Sequence, residues 1–150
     1  MALDQSFVGR TYPPTAPYEV GREKIREFAA AVGDENPAYT DREAARALGH
    51  SDVIAPPTFA FTITFKAAEQ VTQDPQLGLD YSRVVHREQR FAYVRPLRAG
   101  DRLSVTSTIE AIKSLAGNDI LDVRGDVHDE SGELVVTAWT KLVARAAEEA

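Results

Sequence analysis

The second half of the chain is patterned as strands. Residues 83–94, 102–112, 119–128 and 134–143 are rich in β-branched side chains, and in the second run Leu103, Val105 and Ile109 alternate with Arg102, Ser104, Thr106 and Glu110. Between the runs lie turn-forming residues: Pro96 and Gly100, then Ala116-Gly117-Asn118, then Asp129-Glu130-Ser131-Gly132. Long strands joined by short turns predict an antiparallel meander.

The first half has helical period. In residues 21–32 the apolar positions Ile25, Phe28, Ala29 and Val32 recur at helical spacing among Arg22, Glu23, Lys24, Arg26 and Glu27, and residues 33–37 (Gly-Asp-Glu-Asn-Pro) end the helix. Thr40-Asp41-Arg42-Glu43 has capping-box spacing ahead of a short helix over 44–48 that Gly49 closes. Residues 58–71 fit two periods. Phe59, Phe61, Ile63 and Phe65 alternate as in a strand, whereas Phe59, Ile63, Ala67 and Val71 are spaced as on a helix. Pro57 suits a first helical position, and Lys66-Ala67-Ala68-Glu69-Gln70 are strong helix formers, so helix is the preferred reading. Being apolar around most of its circumference, this helix is expected to be buried on most sides. A buried helix with an antiparallel sheet curled around it is an α+β layout. Residues 72–80 read as a polar loop.

Composition narrows the function. The chain has 150 residues, 43% hydrophobic and 27% charged, which excludes global disorder, and it has no repeat or linker, so 1–150 reads as one domain. With no cysteine, thiolate nucleophiles, Fe–S clusters and disulfide scaffolds are excluded. The net charge of −6 has the wrong sign for a nucleic-acid partner. Neither the opening MALDQSFVGR nor the threonine-broken apolar run at 58–65 has the make-up of a secretion signal or a span of about 20 residues, so a soluble, cytoplasmic protein without membrane contact is expected. His50, His86 and His128 share no metal-ligand spacing, and no metal is expected. Residues 82–102 hold six arginines against Glu88 and Asp101. That excess reads either as a solvated strand face or as a landing patch for an anionic carrier.

The segment Phe28-Ala29-Ala30-Ala31-Val32-Gly33-Asp34-Glu35-Asn36-Pro37-Ala38-Tyr39 resembles the hydratase motif of the MaoC-like (R)-specific enoyl hydratases and 3-hydroxyacyl-thioester dehydratases, Gly-Asp-x-Asn-Pro-x-His. Val53-Ile54-Ala55-Pro56-Pro57-Thr58-Phe59 is similar to that family's entry into its central helix. His86-Arg87-Glu88-Gln89-Arg90-Phe91 and Arg95-Pro96-Leu97-Arg98-Ala99-Gly100-Asp101 resemble a strand and turn of fatty-acid-synthase-like dehydratase N-terminal domains. The resemblance covers essentially the whole chain. It implies a hot-dog fold, the antiparallel sheet wrapped around the central helix, with no cofactor.

In such enzymes an Asp and a His activate water, and a backbone N–H at the start of the central helix holds the thioester oxygen. By resemblance Asp34 and Asn36 match the motif, while Tyr39 stands at the His position. With a reference pKa of about 10, tyrosine is a poor base at neutral pH. Pro57, with Pro56 before it, falls where catalytic members have a glycine, and proline has no N–H to give. Both departures favour a non-catalytic subunit similar to the small actinobacterial ones, which builds the substrate channel beside a second hot-dog chain carrying the full motif. Candidate catalytic residues are Asp34, Asn36 and His86, and candidate substrate-binding residues are Tyr39, Pro57, Phe59, Phe61, Arg87 and Arg90. The implied partners are an acyl thioester of coenzyme A or acyl carrier protein and a second hot-dog subunit or another copy of this chain. Two alternatives stay open: a homodimer of weak hydratase activity, using Asp34 with His86 or a water held by Tyr39, and a catalytically silent acyl-thioester binding module.

Overall fold

The structure, a computed structural model, describes residues 2–146. Its elements are β1 (Tyr18–Glu19), α1 (Arg22–Val32), α2 (Arg42–Ala47), α3 (Ala60–Ala67), α4 (Glu69–Thr72), β2 (Val84–Tyr93), β3 (Arg102–Leu115), β4 (Asn118–His128) and β5 (Leu134–Ala144). Short 3₁₀ turns precede several of them, among them Pro37–Tyr39 and Pro57–Phe59.

Helix wins over strand in 58–71. A 3₁₀ turn starting at Pro57 leads into α3, whose Ala60, Ile63, Thr64 and Ala67 are buried while Phe61 and Phe65 are half-buried and Lys66 is exposed. The sheet curls around this helix, and the approach is closest at Gly125. A Cβ there would lie 3.4 Å from Val105 and 3.5 Å from Thr64, so the missing side chain lets the helix settle onto β4. One apolar cluster surrounds Phe59, Ile25, Leu97 and Leu103; a second surrounds Val71, Ile109, Leu121 and Leu142.

The five-stranded antiparallel sheet has the order β1-β3-β4-β5-β2. The meander is present for β3, β4 and β5, and β3 runs on to Leu115 because Ala116 and Gly117 both take positive φ (51° and 79°), the two-residue hairpin turn whose twist suits long strands. The expectation fails for β2, which pairs with β5 at the far edge instead of with β3. The segment carrying Pro96 and Gly100 is no hairpin. Its backbone bonds the chain that enters the central helix: Ala55 N–H donates to the Leu97 carbonyl (2.7 Å) and Ala99 N–H to that of Val53 (3.0 Å). Those bonds satisfy the crossing segment's polar groups and leave Leu97, 1% exposed, in the core.

Three smaller expectations change. Asp41, not Thr40, caps α2, its carboxylate accepting from Glu43 and Ala44 N–H (2.9 and 3.4 Å), because the Thr40 N–H closes the preceding 3₁₀ turn onto Pro37. Val32 is exposed beyond the buried face of Ile25 and Ala29. The polar loop 72–80 contributes Leu77 to the core. Residues 2–20, where the sequence pattern predicts no element, form an arm along the free edge of β3: Gly9, Tyr12 and Thr15 N–H donate to Ile109, Ser107 and Val105 carbonyls (2.8, 2.9 and 3.0 Å). Among the described residues no helix is long and apolar enough to cross a membrane.

Candidate functional site

The motif loop grows out of the end of α1. Gly33 takes the left-handed conformation (φ 72°) that terminates a helix, and the Asp34 N–H returns to the Ala29 carbonyl (2.9 Å). Two side-chain turns follow. Asp34 Oδ1 accepts from the Asn36 N–H (3.3 Å), and Asn36 Oδ1 accepts from the Ala38 N–H (3.0 Å), capping the turn Pro37–Tyr39. The spacing that resembles the hydratase motif is therefore also the spacing that folds this loop. Asp34 and Asn36 are exposed, whereas Tyr39 turns inward to 7% exposure. Burial raises the Tyr39 phenol above its ordinary range, and the Asp34 carboxylate facing it adds to the rise.

The second wall is the start of the central helix. Pro57 donates nothing, and its carbonyl accepts from the Tyr93 hydroxyl of β2. Phe59, fully buried, meets Phe28 of α1 edge to face at 5.4 Å. A pocket of about 340 Å³ brings the two walls together, lined by Tyr39, Ile54, Ala55, Pro57, Tyr93 and Arg95 among others. Burial pushes Tyr93 up to about 12. Arg95 is engaged in a two-pronged bond to Asp101 (2.9 and 2.9 Å), which raises its pKa, with Asp129 at 3.5 Å. The ionisable groups lining this pocket thus hold their protons at neutral pH, and Pro57 has no N–H to offer it.

His86 lies elsewhere, at a bulge in β2. Its ring stands edge-on to Phe61 (5.6 Å), and its Nε2 is 3.0 Å from Gln89 Oε1, which also accepts from the Thr140 hydroxyl (2.9 Å). Neither a hydrogen bond nor the lining of the pocket joins His86 to Asp34. Phe61 also packs on Phe65 at 5.0 Å. Most of the six clustered arginines are already engaged: Arg83 with Asp80 (2.9 Å), Arg95 and Arg98 with Asp101, Arg102 with Glu19 (3.9 Å). Arg90 stacks over Trp139 (3.9 Å), and Arg87 reaches Glu88 only at 4.0 Å. Four of the six arginines thus pair with carboxylates within 3.9 Å, Arg95 and Arg98 sharing Asp101.

Two features escaped the sequence reading. Tyr93 carried a signal, the inward alternation of Phe91 and Tyr93. The other is a cleft of about 750 Å³ between the N-terminal arm, the flank of α3 and α4, and β3. Its walls come from three distant parts of the chain, and no local pattern announces it.

Comparison with known proteins follows the same lines. Residues 6–138 match the family described as FAS1-like, dehydratase domain region. The UPF0336 protein SCO4636 of Streptomyces coelicolor is 84% identical over 150 residues, covering all of both chains. A solved MaoC-like dehydratase superposes with a TM-score of 0.88 at 36% identity over 95% of this chain, which spans 43% of that longer one. A chain of the C-terminally truncated HadBC complex, a 3R-hydroxyacyl-ACP dehydratase from Mycobacterium tuberculosis, gives 0.79 at 32% identity, covering 91% of this chain and 96% of its own.

Proposed function

The chain belongs to the family of FAS1-like dehydratase regions with the MaoC-like hot-dog fold, and from that premise we propose that it is the channel-forming, catalytically incomplete subunit of an (R)-specific 3-hydroxyacyl-thioester dehydratase. One observation carries this reading. The motif loop and the helix start do meet in one pocket, yet Tyr39 and Pro57 stand where a base and an N–H donor are needed. A second hot-dog chain with an intact Asp and His supplies the proton transfer. This chain, 1–150 as one hot-dog unit, supplies the facing half of the dimer in the cytoplasm. The thioester is carried by coenzyme A or acyl carrier protein, and no cofactor takes part.

The free side of β2 suits the partner. β2 pairs with β5 on one side only and presents exposed Val85 (44%), with Val94 (70%) just past its end, whereas the opposite sheet edge is already covered by the N-terminal arm. An unpaired edge strand of ten residues is a ready template for a second sheet. Co-expression with a hot-dog chain carrying the complete motif tests the proposal. The expected result is a stable heteromeric complex that dehydrates a (3R)-hydroxyacyl thioester while this chain alone does not. Robust turnover by the isolated chain, or failure of the two chains to co-purify, overturns it.

A further inference from the structure

The two edges of the sheet are treated differently. β2, ten residues long, pairs on one side only, with β5. The other edge belongs to β3, fourteen residues long, of which β1 covers only Arg102 and Leu103. Left bare beyond Leu103, β3 would offer a second template for strand pairing. Copies with two bare edges pair head to tail, β3 of one against β2 of the next, and nothing closes the series.

The N-terminal arm occupies the place such a copy would take. Thr15 N–H donates to the Val105 carbonyl while its hydroxyl accepts from the Val105 N–H (both 3.0 Å), Tyr12 N–H donates to the Ser107 carbonyl (2.9 Å), and Ile109 gives its N–H to the Arg10 carbonyl (2.9 Å) and receives that of Gly9 (2.8 Å). The arm is fastened at both ends and in between. Leu3 and Phe7 are buried in the cluster of Ile109 and Leu121, and Val20 in that of Phe59. Midway the Tyr12 hydroxyl donates to Asp74 Oδ2 (2.8 Å), Gln70 Nε2 donates to the Pro13 carbonyl (3.2 Å), and Arg10 adds contacts to Asp74 (3.4 Å) and Gln76 (3.3 Å). Burial and the Asp74 bond push the Tyr12 phenol up to about 12, so the donor stays protonated.

The cover is itself a poor strand to pair with. The two residues between the bonded Tyr12 and Thr15 are Pro13 and Pro14, and Pro17 follows. A strand adding to the arm's outer side meets three positions that have no N–H to give.

We propose that the arm is a guard on the β3 edge, which leaves β2 as the one strand another chain can join and so holds assembly to two chains. The guard shares with the dehydratase reading only the use of β2 as the pairing side.

The test is sedimentation equilibrium of the isolated chain over a concentration series, with circular dichroism to report the fold. The unsubstituted chain is expected to show nothing heavier than two chains. A variant lacking residues 2–16 is expected to grow past two chains as concentration rises. So is the full-length double variant Pro13→Val, Pro14→Val, which keeps Leu3 and Phe7 in the core and gives the arm two N–H groups. Gln89→Pro, added to either, is expected to restore the limit of two. Val94 N–H donates to the Val135 carbonyl (2.8 Å), so in this register the N–H groups of Ala92, Arg90 and Glu88 also face β5 and that of Gln89 faces away. The added proline therefore takes a donor from the free side of β2 and leaves the ladder to β5.

An unsubstituted chain that already forms heavier species overturns the proposal. So do a folded truncated chain and a valine variant that both stop at two chains; where the truncated chain does not fold, the valine variant decides alone. Growth that persists through Gln89→Pro also overturns it, because association that ignores β2 is not edge pairing. Growth of the truncated chain alone, reversed by Gln89→Pro, supports the guard and overturns the part given to the prolines. These outcomes are separable from the dehydratase reading, which stands or falls on turnover by the paired chains.

Discussion

The Tyr93 hydroxyl of the edge strand β2 donates its hydrogen bond to the carbonyl of Pro57, at the first turn of the central helix. The bond ties the helix start to the strand, and it occupies a backbone group in the pocket where the hydratase resemblance demands a donor. Tyr93→Phe is expected to fold but to lose about 1 kcal/mol, the usual net worth of such a bond, read as a lower denaturant midpoint at unchanged slope.

Tyr39 and Pro57 line one pocket, so the two departures from the motif can be reversed together. Tyr39→His alone restores a base near pH 6.5 without a backbone donor. The double variant Tyr39→His, Pro57→Gly restores both, and general base catalysis alone is worth about 10²-fold or more. Hydration of a trans-2-enoyl thioester by the double variant, rising with pH through the imidazole pKa and exceeding either single variant, is the expected result. Equal rates in all three would remove Tyr39 and Pro57 as the cause of the incomplete site.

Asp52 links α1 to the turn before the central helix. The Arg22 guanidinium bonds it at 2.7 and 3.1 Å, and with the Val53 N–H and Arg42 nearby it holds the carboxyl at about 2. Its folded pKa lies below the unfolded value of about 3.9, so its contribution is fully present above pH 4 and is lost as pH falls toward 2. Asp52→Asn is expected to be less stable than the parent at pH 7, and the difference should close between pH 4 and pH 2 in a series of urea titrations.

Arg95 is the main counter-charge of Asp101, whose side chain is only 7% exposed and also accepts from the Arg98 N–H (2.9 Å). Arg95→Leu leaves that carboxylate without its two-pronged partner. A loss on the order of 3 kcal/mol is expected, in line with other broken buried pairs. For a chain of this length the melting temperature should fall by roughly 6–12 °C.

Local chemistry told much of this in advance. The period of residues 21–32, the turn residues at 116–118 and 129–132 and the propensities of 66–70 were enough for α1, for the meander of β3, β4 and β5 and for a helix at 58–71, since each depends on neighbours within a few positions. The placing of β2 was not legible, because whether Pro96 and Gly100 make a hairpin or a crossing depends on what else bonds that backbone, and the answer, residues 53–55, lies some forty positions away. The partners of the clustered arginines were hidden for the same reason. That Asp80 meets Arg83 and Glu19 meets Arg102 depends on where the fold brings those carboxylates.

The motif loop shows both sides of that division. From sequence alone came the helix stop over residues 33–37, set by chemistry within a few bonds of each residue, and from the resemblance came Tyr39 at the histidine position. Only the tertiary structure decided that Tyr39 and Pro57 share a pocket, that His86 packs on Phe61 of the central helix, and that Tyr12 reaches Asp74 across a cleft. Those relations join residues up to 62 positions apart, and they exist because the sheet curls around one helix and brings its two faces against different parts of the chain.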